Sequence, residues 1–378
     1  MTIFEESIAA HESSNGKLSV ASRVPLNDNH DLAVYYTPGV AEVCREIARD
    51  PARARTLTLK HNTIAVISDG SAVLGLGNLG AAGAIPVMEG KAILFKKFAD
   101  VDAFPICLDT QDTEEIIKAV KNIAPVFGGI NLEDIAAPKC FEIERRLKHE
   151  LNIPVVHDDQ HGTAVVVLAA LINALRLKNL DAEKAQIVIN GAGAAGTAIA
   201  ELLLAYGVKK IIVCDSQGII HKTRKDLSDV KMLLAQITNE KNIEGTLADA
   251  VQNADIFIGV SVAGALTQDM VRQMAKDPII IAMANPVPEI MPDEALAAGA
   301  FIVATGRSDF QNQINNVLAF PGIFRGALDN GITEITNSMF VTAAKNLAAC
   351  VPEPTREKII PSPFDAAVVP AVARAMVA

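Results

Sequence analysis

The sequence lacks two features that mark common functions: an excess of basic residues and a pattern of paired cysteines. Its 378 residues include 34 Lys and Arg against 44 Asp and Glu, so the formal net charge is −10. Because nucleic acids and anionic membranes bind basic surfaces, we expect neither as a partner. The five cysteines are scattered without a CxxC pair, and their odd number does not suit a disulfide framework. The composition therefore favours an ordinary soluble metabolic protein.

Long apolar segments and targeting patterns are also missing. The longest apolar stretch, around residues 164–174, is too short to span a bilayer. The first residues, MTIFEESIAAHESS, are acidic and lack the basic start and apolar core of a secretory signal. We therefore expect a cytoplasmic protein.

The length and the hydrophobic pattern predict two α/β domains. A chain of 378 residues, of which 50% are hydrophobic, is too long for one core and can bury two. We expect a smaller N-terminal α/β domain at residues 1–160. Residues 161–378 are expected to form a Rossmann-like domain with a doubly wound parallel sheet, because short apolar runs alternate there with helical patterns. Helices after Phe320 are expected to pack across the cleft. Predicted strands lie at 64–68, 92–95, 104–109, 254–261, 279–286 and 301–306, and predicted helices at 41–55, 114–123 and 163–177.

The most informative motif is a glycine-rich loop between a strand and a helix, within QIVINGAGAAGTAIAELLLAYGVKKIIVCD. Gly191 permits a tight turn, Gly193 lets the backbone approach a pyrophosphate, and Gly196 lets the helix pack on the strand. The free N–H groups of the new helix bind phosphates well. The motif predicts a dinucleotide site with the loop residues Gly191, Gly193, Ala194, Ala195 and Gly196.

A second glycine run of the same spacing, LGLGNLG, lies at residues 74–80. It follows SDGSAV rather than a clear apolar strand. Pro86 is expected to interrupt any helix that begins after this run. We therefore assign the cofactor loop to the later motif.

Asp215 closes the second strand of the later motif, where a carboxylate accepts hydrogen bonds from a ribose 2′-hydroxyl. This favours NAD over NADP, because Ser216 and Gln217 offer no cation for a 2′-phosphate. Lys222 and Arg224 follow a little further on and would weaken the preference if they folded back. The alternative, that Asp215 is an acid of a surface turn, stays open.

Two acidic clusters, at residues 131–134 and 157–161, predict a metal site. The second cluster follows an apolar run, and the ends of strands are where α/β folds place their sites. If Glu133, Asp134 and Asp159 converge, their charges repel strongly, and a hard divalent cation would relieve that repulsion. Oxygen ligands of this kind suit Mg²⁺ or Mn²⁺.

Two other interpretations of the second cluster stay open. His157 and His161 are four positions apart, a spacing that binds zinc on a helix, but the glutamate of an HExxH motif is absent because Asp158 stands there. Alternatively, Asp158 or Asp159 caps a helix that begins near Gly162.

Four further residues are chemically notable without a decisive context. Tyr36 precedes a Thr-Pro-Gly segment, and Lys91 follows a glycine at the head of a predicted strand. Asn285 and Asn316 suit either turns or the anchoring of a small acid. Spacing alone does not choose between these functional roles and ordinary packing or turn roles.

Taken together, seven ordered motifs resemble malic enzymes of the short bacterial type, over roughly residues 20–340. They are YYTPGVAEVCREI, GKAILFKKFADVDAFPICLD, NLEDIAAPKC, VVHDDQHGTA, GAGAAGTAIAE, MANPVPEI and NNVLAFPGIFRGAL. The resemblance implies oxidation of (S)-malate with NAD, or alternatively NADP, and release of pyruvate and CO₂. It also implies dependence on Mn²⁺ or Mg²⁺, activity on oxaloacetate, and a homodimer with the N-terminal part at the interface.

The resemblance assigns roles to individual residues. Lys91 would be the general base for the C2 hydroxyl, and Tyr36 the acid that protonates C3 of enolpyruvate. If these two lie close to each other and to a cation, their pKa values are expected to be lowered. The implied metal ligands are Glu133, Asp134 and Asp159, and the implied malate-binding residues are Asn285 and Asn316, with Asn285 also near the nicotinamide.

One departure and two rival functions accompany this resemblance. Longer eukaryotic members have a carboxylate-binding arginine where this sequence has Ala72, and no substitute is apparent. One rival is a family member that acts mainly as an oxaloacetate decarboxylase. The other is a non-catalytic dinucleotide-sensing protein on the same fold.

Overall fold

The computed structural model describes residues 2–377 and contains two separate β-sheets. The first sheet is parallel, with the strand order β2-β1-β3-β4. Its strands are β1 (Thr63–Ser68), β2 (Asp102–Cys107), β3 (Gly129–Leu132) and β4 (Val155–His157). Every residue of β1 and β3 is buried, as expected for strands covered by helices on both faces.

The second sheet has six strands in the order β10-β9-β8-β5-β6-β7. They are β5 (Gln186–Asn190), β6 (Lys210–Asp215), β7 (Gly218–Ile219), β8 (Ile256–Gly259), β9 (Ile279–Ala282) and β10 (Ile302–Thr305). All pairs are parallel except β6 with β7. The chain winds outward from β5 in both directions, so a crevice opens at the carboxyl end of β5. The predicted fold class is confirmed.

Sixteen α-helices surround these sheets in the described residues. Those before the second sheet are α1 (Ile3–Ser14), α2 (Asn29–Tyr35), α3 (Val40–Arg49), α4 (Ala54–Leu57), α5 (Gly80–Ala99), α6 (Thr113–Ile123), α7 (Lys139–Glu150) and α8 (Asp158–Lys178). Those after β5 are α9 (Ala194–Tyr206), α10 (Asp229–Ile237), α11 (Leu247–Ala250), α12 (Gln268–Gln273), α13 (Pro292–Ala297), α14 (Phe320–Asn330), α15 (Asn337–Ala349) and α16 (Val368–Ala373).

Helix α8 connects the two sheets and is the central element of the largest core cluster. It is the one helix of residues 2–377 that is long and apolar enough to cross a membrane, and 72% of its apolar window is buried inside the protein. Burial in the core is sufficient to explain its apolar composition. The predicted domain division at residue 160 falls within this helix and stays a prediction.

Helix α5 corrects two predictions. The strand predicted at 92–95 is helical, so Lys91 lies inside a helix and not at the head of a strand. Pro86 lies inside the same helix and does not end it. The reason is a buried stripe with helical spacing, formed by Ala84, Met88, Ala92, Phe95 and Ala99. Burial of this stripe outweighs the loss of one backbone hydrogen bond at proline.

The other predicted elements are present within a few residues. One exception is the helix predicted at 41–55, which is divided because α3 ends at Arg49 and Pro51 begins a 3₁₀ turn. Helices α1 to α4 contain no buried residue. Ile3, Phe4 and Leu26 are among the large apolar side chains that this N-terminal segment exposes. The segment therefore contributes little to the core of its own chain.

Candidate active site

The structure brings the three predicted metal-binding acids together. Glu133 and Asp134 directly follow β3, and Asp159 lies in the first turn of α8, directly after β4. These strands are parallel neighbours in which Leu132 is paired with His157, so their carboxyl ends meet. One carboxylate oxygen from each of the three acids lies within 4.8 Å of the others. Their convergence agrees with the prediction, and their role as ligands stays a prediction.

Burial and mutual repulsion raise the pKa values of these acids. Burial is the main cause for Asp134, followed by the charges of Asp159 and Glu133, and its pKa rises to about 8. The pKa of Glu133 rises to about 7, because burial and Asp159 outweigh the favourable charge of Lys91. One buried oxygen of Asp134, Oδ2, accepts no hydrogen bond. An oxygen-only cluster with an unpaired buried oxygen fits a hard divalent cation well.

Lys91 reaches this cluster from α5. Its Nζ atom lies 2.9 Å from Glu133 Oε1 and 2.7 Å from Asp158 Oδ2, and its side chain is only 7% exposed. Burial alone would lower its pKa, but the charges of Asp158 and Glu133 outweigh that effect and raise it. The lowering expected beside Tyr36 and a cation stays a prediction, and in the chain alone the pKa of Lys91 is raised. The physical reason is the pairing with two buried carboxylates.

Asp158 and Asp159 have structural partners that sequence reasoning did not identify. Helix α8 begins at Asp158 without a side-chain cap, and the Asp158 carboxylate is buried against Lys91 instead. Asp159 accepts a hydrogen bond from the Asp134 N–H at 2.9 Å. Neither acid therefore caps the helix, and the capping interpretation is wrong.

The zinc interpretation receives no support from the histidines. His161 Nε2 lies 2.9 Å from the buried carboxylate of Glu144. Glu144 also accepts the N–H of His157 at 2.9 Å and pairs with Lys148. Within residues 2–377, the only group of three or more metal-binding side chains is the carboxylate trio. Glu144 instead connects α7 to the start of α8, where the site acids lie.

The two predicted asparagines border elements that carry the site. Asn316 begins a 3₁₀ turn, and its Cβ atom lies 3.2 Å from where a Cβ on Gly162 of α8 would be. Asn285 follows β9, and its side-chain nitrogen borders Gly306. The backbone oxygen of Asn285 approaches Gly75 in the loop after β1. Both asparagines are therefore near the cleft, and their contact with malate stays a prediction.

Tyr36 is not joined to the rest of the site. It directly follows α2, its residue is 67% exposed, and no hydrogen bond links it to Lys91 or to the carboxylates within the described residues. Its backbone N–H donates to Leu32 O of α2 at 3.0 Å, which holds the main chain and not the side chain. The arrangement within one chain does not bring the predicted acid and base together.

The glycine-rich loop has the geometry expected of a dinucleotide site. Gly191 has a φ of 122°, and a side chain there would approach Val260 O to 2.4 Å. A Cβ on Gly196 would lie 1.8 Å from Gly191 O, whereas one on Gly193 would meet nothing. Helix α9 begins at Ala194 and points its N-terminus into a cavity of about 630 Å³ lined by Gly191, Gly193, Asp215, Lys231 and others. The three glycines therefore act sterically as predicted.

Asp215 borders this cavity, but it is not free of cations. Arg224 folds back and lies 2.8 Å from its carboxylate, and Lys231 from α10 lies 2.6 Å away. Burial alone would raise the Asp215 pKa, yet hydrogen bonds from these two cations lower it. Of the two cations that the sequence left open, Arg224 does fold back, and this weakens the argument against NADP. Lys231 was missed because nothing in its local sequence marks it as a partner.

The fold and the site define a class: a two-sheet enzyme in which a dinucleotide-binding crevice lies beside a buried cluster of acids and a lysine. Profile comparison matches residues 15–148 to the malic enzyme N-terminal domain and residues 160–375 to the malic enzyme NAD binding domain. The chain belongs to the malic enzyme family, whose members are NAD(P)-dependent oxidoreductases.

Individual relatives agree over nearly the whole chain. The bifunctional malic/malolactic enzyme of Bacillus subtilis is 55% identical over 100% of this chain and 92% of its own length. The NAD-dependent malic enzyme of Geobacillus stearothermophilus is 56% identical over 96% of this chain and 76% of its own length. The crystal structure of the NAD-dependent malic enzyme of Thermotoga maritima superposes with a TM-score of 0.95 at 50% identity, covering 98% of each chain.

Proposed function

We propose that this chain oxidises (S)-malate to pyruvate and CO₂ while it reduces NAD, with a divalent metal ion. The observation that carries the proposal is the convergence of Glu133, Asp134, Asp159 and Lys91 at one buried point on the carboxyl edge of the first sheet. Membership of the malic enzyme family supports the same reaction. A non-catalytic sensor would have no need for this set of side chains.

The chain's own residues divide the proton chemistry between them. Lys91 takes the proton from the C2 hydroxyl, and Asp158 holds the lysine in place for this transfer. Tyr36 donates a proton to C3 of enolpyruvate after CO₂ has left with the carboxylate carbon. Asn285 and Asn316 orient malate in the cleft.

Two bound groups supply the remaining chemistry. Glu133, Asp134 and Asp159 would hold Mn²⁺ or Mg²⁺, which when bound would polarise the C2 oxygen and stabilise the negative charge of the enolate. Bound NAD would accept hydride from C2. Because oxaloacetate needs the same groups but no hydride transfer, we expect the protein to decarboxylate it as well.

Steady-state kinetics test the proposal. Malate, NAD and Mn²⁺ should together yield NADH and pyruvate in equal amounts, and Lys91→Ala should abolish the turnover. If oxaloacetate loses CO₂ rapidly while malate gives no NADH, the protein is mainly an oxaloacetate decarboxylase. If neither substrate reacts, the sensing function gains support.

We also propose a homodimer whose interface includes the N-terminal segment. Helices α1 to α3 contain no buried residue, and they and the segment between α1 and α2 expose Phe4, Leu26 and Leu32. A second copy of the chain is the occupant that fits, because soluble chains seldom leave large apolar patches in water. Tyr36 lies within this surface, so we assign it to the active site of the partner protomer. A cytoplasmic location belongs to the same proposal and rests on the sequence pattern.

Mixed dimers test the assignment of Tyr36. Co-expressed Tyr36→Phe and Lys91→Ala chains form heterodimers with one intact pair if the tyrosine acts across the interface, and activity should return. Each variant alone is the control and should remain nearly inactive. Mixed dimers that stay as inactive as the single variants would place Tyr36 and Lys91 in the same protomer.

For the cofactor, we propose a preference for NAD of about tenfold in kcat/KM, equivalent to about 1.4 kcal/mol. Asp215 is the acceptor for the ribose hydroxyl, and its charge disfavours a 2′-phosphate, although its pairing with Arg224 and Lys231 weakens that repulsion. Asp215→Asn should reverse the preference, because it releases Arg224 and Lys231 to bind that phosphate. Equal use of both cofactors by the wild type, or no change in the variant, would remove Asp215 from this role.

A further inference from the structure

The proposed substrate carries two carboxylates, and the loop after β1 contains Ala72 but no basic residue that could bind one of them. Ala72 uses its N–H to bond Asp134 O at 3.0 Å, and its methyl group recognises no charge. We propose that Arg307 is the specificity-determining residue that binds a malate carboxylate in its place. This inference rests on the proposed function, since it assumes malate as the substrate.

Short contacts lead from the carboxylate cluster through the loop after β1 to the segment that Arg307 bonds. In the middle of this loop, the Leu74 N–H lies 3.5 Å from Asp134 Oδ1. A Cβ on the next residue, Gly75, would lie 3.3 Å from Asn285 O. Arg307 then donates from Nη1 to the oxygen of Pro286, at 3.1 Å. The guanidinium is thus bonded to the residue after Asn285, and Gly306, which precedes Arg307, borders the Asn285 side-chain nitrogen.

Three hydrogen bonds fix the guanidinium of Arg307 and leave two of its N–H donors unused. Asp309 accepts from Nε at 2.9 Å and from Nη2 at 2.6 Å. Together with the bond to Pro286, this engages three of the five N–H donors that an arginine has. One N–H on each terminal nitrogen therefore remains, and the side chain is 33% exposed. A fixed, planar and accessible pair of donors matches the geometry of a carboxylate.

The other basic side chains that reach this edge are already occupied. Lys91 is buried between Glu133 and Asp158. Lys139 pairs with Asp69, whose side chain is fully buried and has no other cation within the described residues. Lys91 is only 7% exposed, and Lys139, at 21%, also donates to Gln111 O at 3.3 Å. Arg307 is thus the cation at this edge that combines exposure with remaining donors.

The chemistry decides which carboxylate Arg307 binds. The C4 carboxylate leaves as neutral CO₂, so a cation held against it would stabilise malate more than the transition state and would slow the reaction. The C1 carboxylate keeps its negative charge from malate through to pyruvate. Arg307 therefore binds C1 and contributes equally to substrate, transition state and product. Binding of this kind affects KM and leaves kcat nearly unchanged.

Kinetics of Arg307→Met test the inference. A charged hydrogen-bonded contact of about 2–3 kcal/mol corresponds to a rise of roughly 30- to 150-fold in the KM for malate. The inhibition constant of pyruvate should rise by a similar factor, because pyruvate retains C1. The kcat should stay within about threefold and the KM for NAD within about twofold of the wild type. Arg307→Lys should recover part of the affinity, since it restores the charge but not the paired donors.

A matched control comes from Arg272, which pairs with Asp269 on the exposed helix α12. Arg272→Met removes a comparable surface pair and should leave both malate and pyruvate constants unchanged. Added guanidinium should restore malate affinity to Arg307→Ala. Asp309→Asn leaves the positive charge of Arg307 in place but weakens the contacts that fix its orientation. The KM of this variant for malate should therefore rise less than that of Arg307→Met.

Two results would overturn the inference. One is an Arg307→Met protein with the wild-type unfolding midpoint and unchanged constants for malate and pyruvate. The other is a loss of kcat at constant KM. If the wild type itself does not oxidise malate, the proposed function fails instead, and calorimetric titration of wild type and Arg307→Met with pyruvate still decides the role of Arg307.

Discussion

Gly162→Ala is expected to damage both stability and activity, although alanine normally strengthens a helix. Gly162 lies inside α8, and a Cβ there would come within 1.9 Å of Asp158 Oδ1 and 3.2 Å of Asn316 Cβ. The Asp158 carboxylate would have to move by more than about 1 Å to reach an ordinary contact distance. Because that carboxylate holds Lys91 at 2.7 Å, the displacement breaks a buried ion pair.

The magnitude follows from two opposing effects. Alanine in place of glycine gains about 1 kcal/mol of helix stability. Disruption of a buried ion pair costs about 3–5 kcal/mol. We therefore expect a net loss of about 2–4 kcal/mol and, because Lys91 is misplaced by about 1 Å, a fall in kcat/KM of about 100-fold.

Gly90→Ala is the control for this experiment. Gly90 lies in α5, and a Cβ there would meet no atom within 4 Å. This variant should unfold at a higher urea concentration than the wild type, whereas Gly162→Ala should unfold at a lower one. Urea denaturation followed by circular dichroism, together with malate oxidation rates, measures both effects. A Gly162→Ala protein as stable and as active as Gly90→Ala would refute the argument that the Asp158 contact positions Lys91.

Two further predictions concern the acids. Glu144→Gln should lose about 2–4 kcal/mol at neutral pH, because it leaves the ammonium of Lys148 and the ring of His161 without the buried carboxylate that pairs with them. Burial would raise the Glu144 pKa, but His161 and Lys148 hold it below its ordinary value of 4.5. The Glu144 carboxylate therefore stabilises the fold fully above pH 4.5, and this stabilisation declines as the pH falls below that value. The difference in the free energy of unfolding between wild type and variant should therefore be about 0.8 kcal/mol smaller at pH 4 than at pH 7 in urea titrations. A difference independent of pH would contradict the charge argument. Asp159→Asn should weaken Mn²⁺ binding severely in calorimetry, and unaltered affinity would exclude Asp159 as a ligand.

Local sequence signals were sufficient for the parts of the fold that local chemistry determines. The glycine loop was identified because Gly191 and Gly196 are required sterically within one short segment. Asp159 was assigned to a site because its cluster follows an apolar run, and Glu133 meets it because β3 and β4 are parallel neighbours whose carboxyl ends align. In both cases the signal depends on residues close in the chain or on a general rule of sheet topology.

Local sequence rules did not predict helix α5. Its apolar residues near 92–95 are consecutive enough to suggest a strand, and Pro86 suggested a break. The helix forms because the stripe that includes Met88 and Phe95 packs against the core, where Phe95 contacts Phe320 at a ring distance of 4.6 Å. Position 320 is far away in the sequence. Tertiary packing therefore decides the element in which Lys91 lies.

The ion pairs of the site were the hardest features to predict from the sequence, because each joins residues that are distant in the chain. Lys91 and Asp158 are 67 positions apart, and Arg224 reaches Asp215 only by reversing the direction of the chain. A lysine near a cation was expected to have a lowered pKa, yet two buried carboxylates raise it in this arrangement. Cation binding among the acids would offset the charge of Glu133, one of those two carboxylates, and so favour a neutral Lys91. The ability of Lys91 to act as a base therefore depends on the occupancy of the acidic cluster, which a local motif does not reveal.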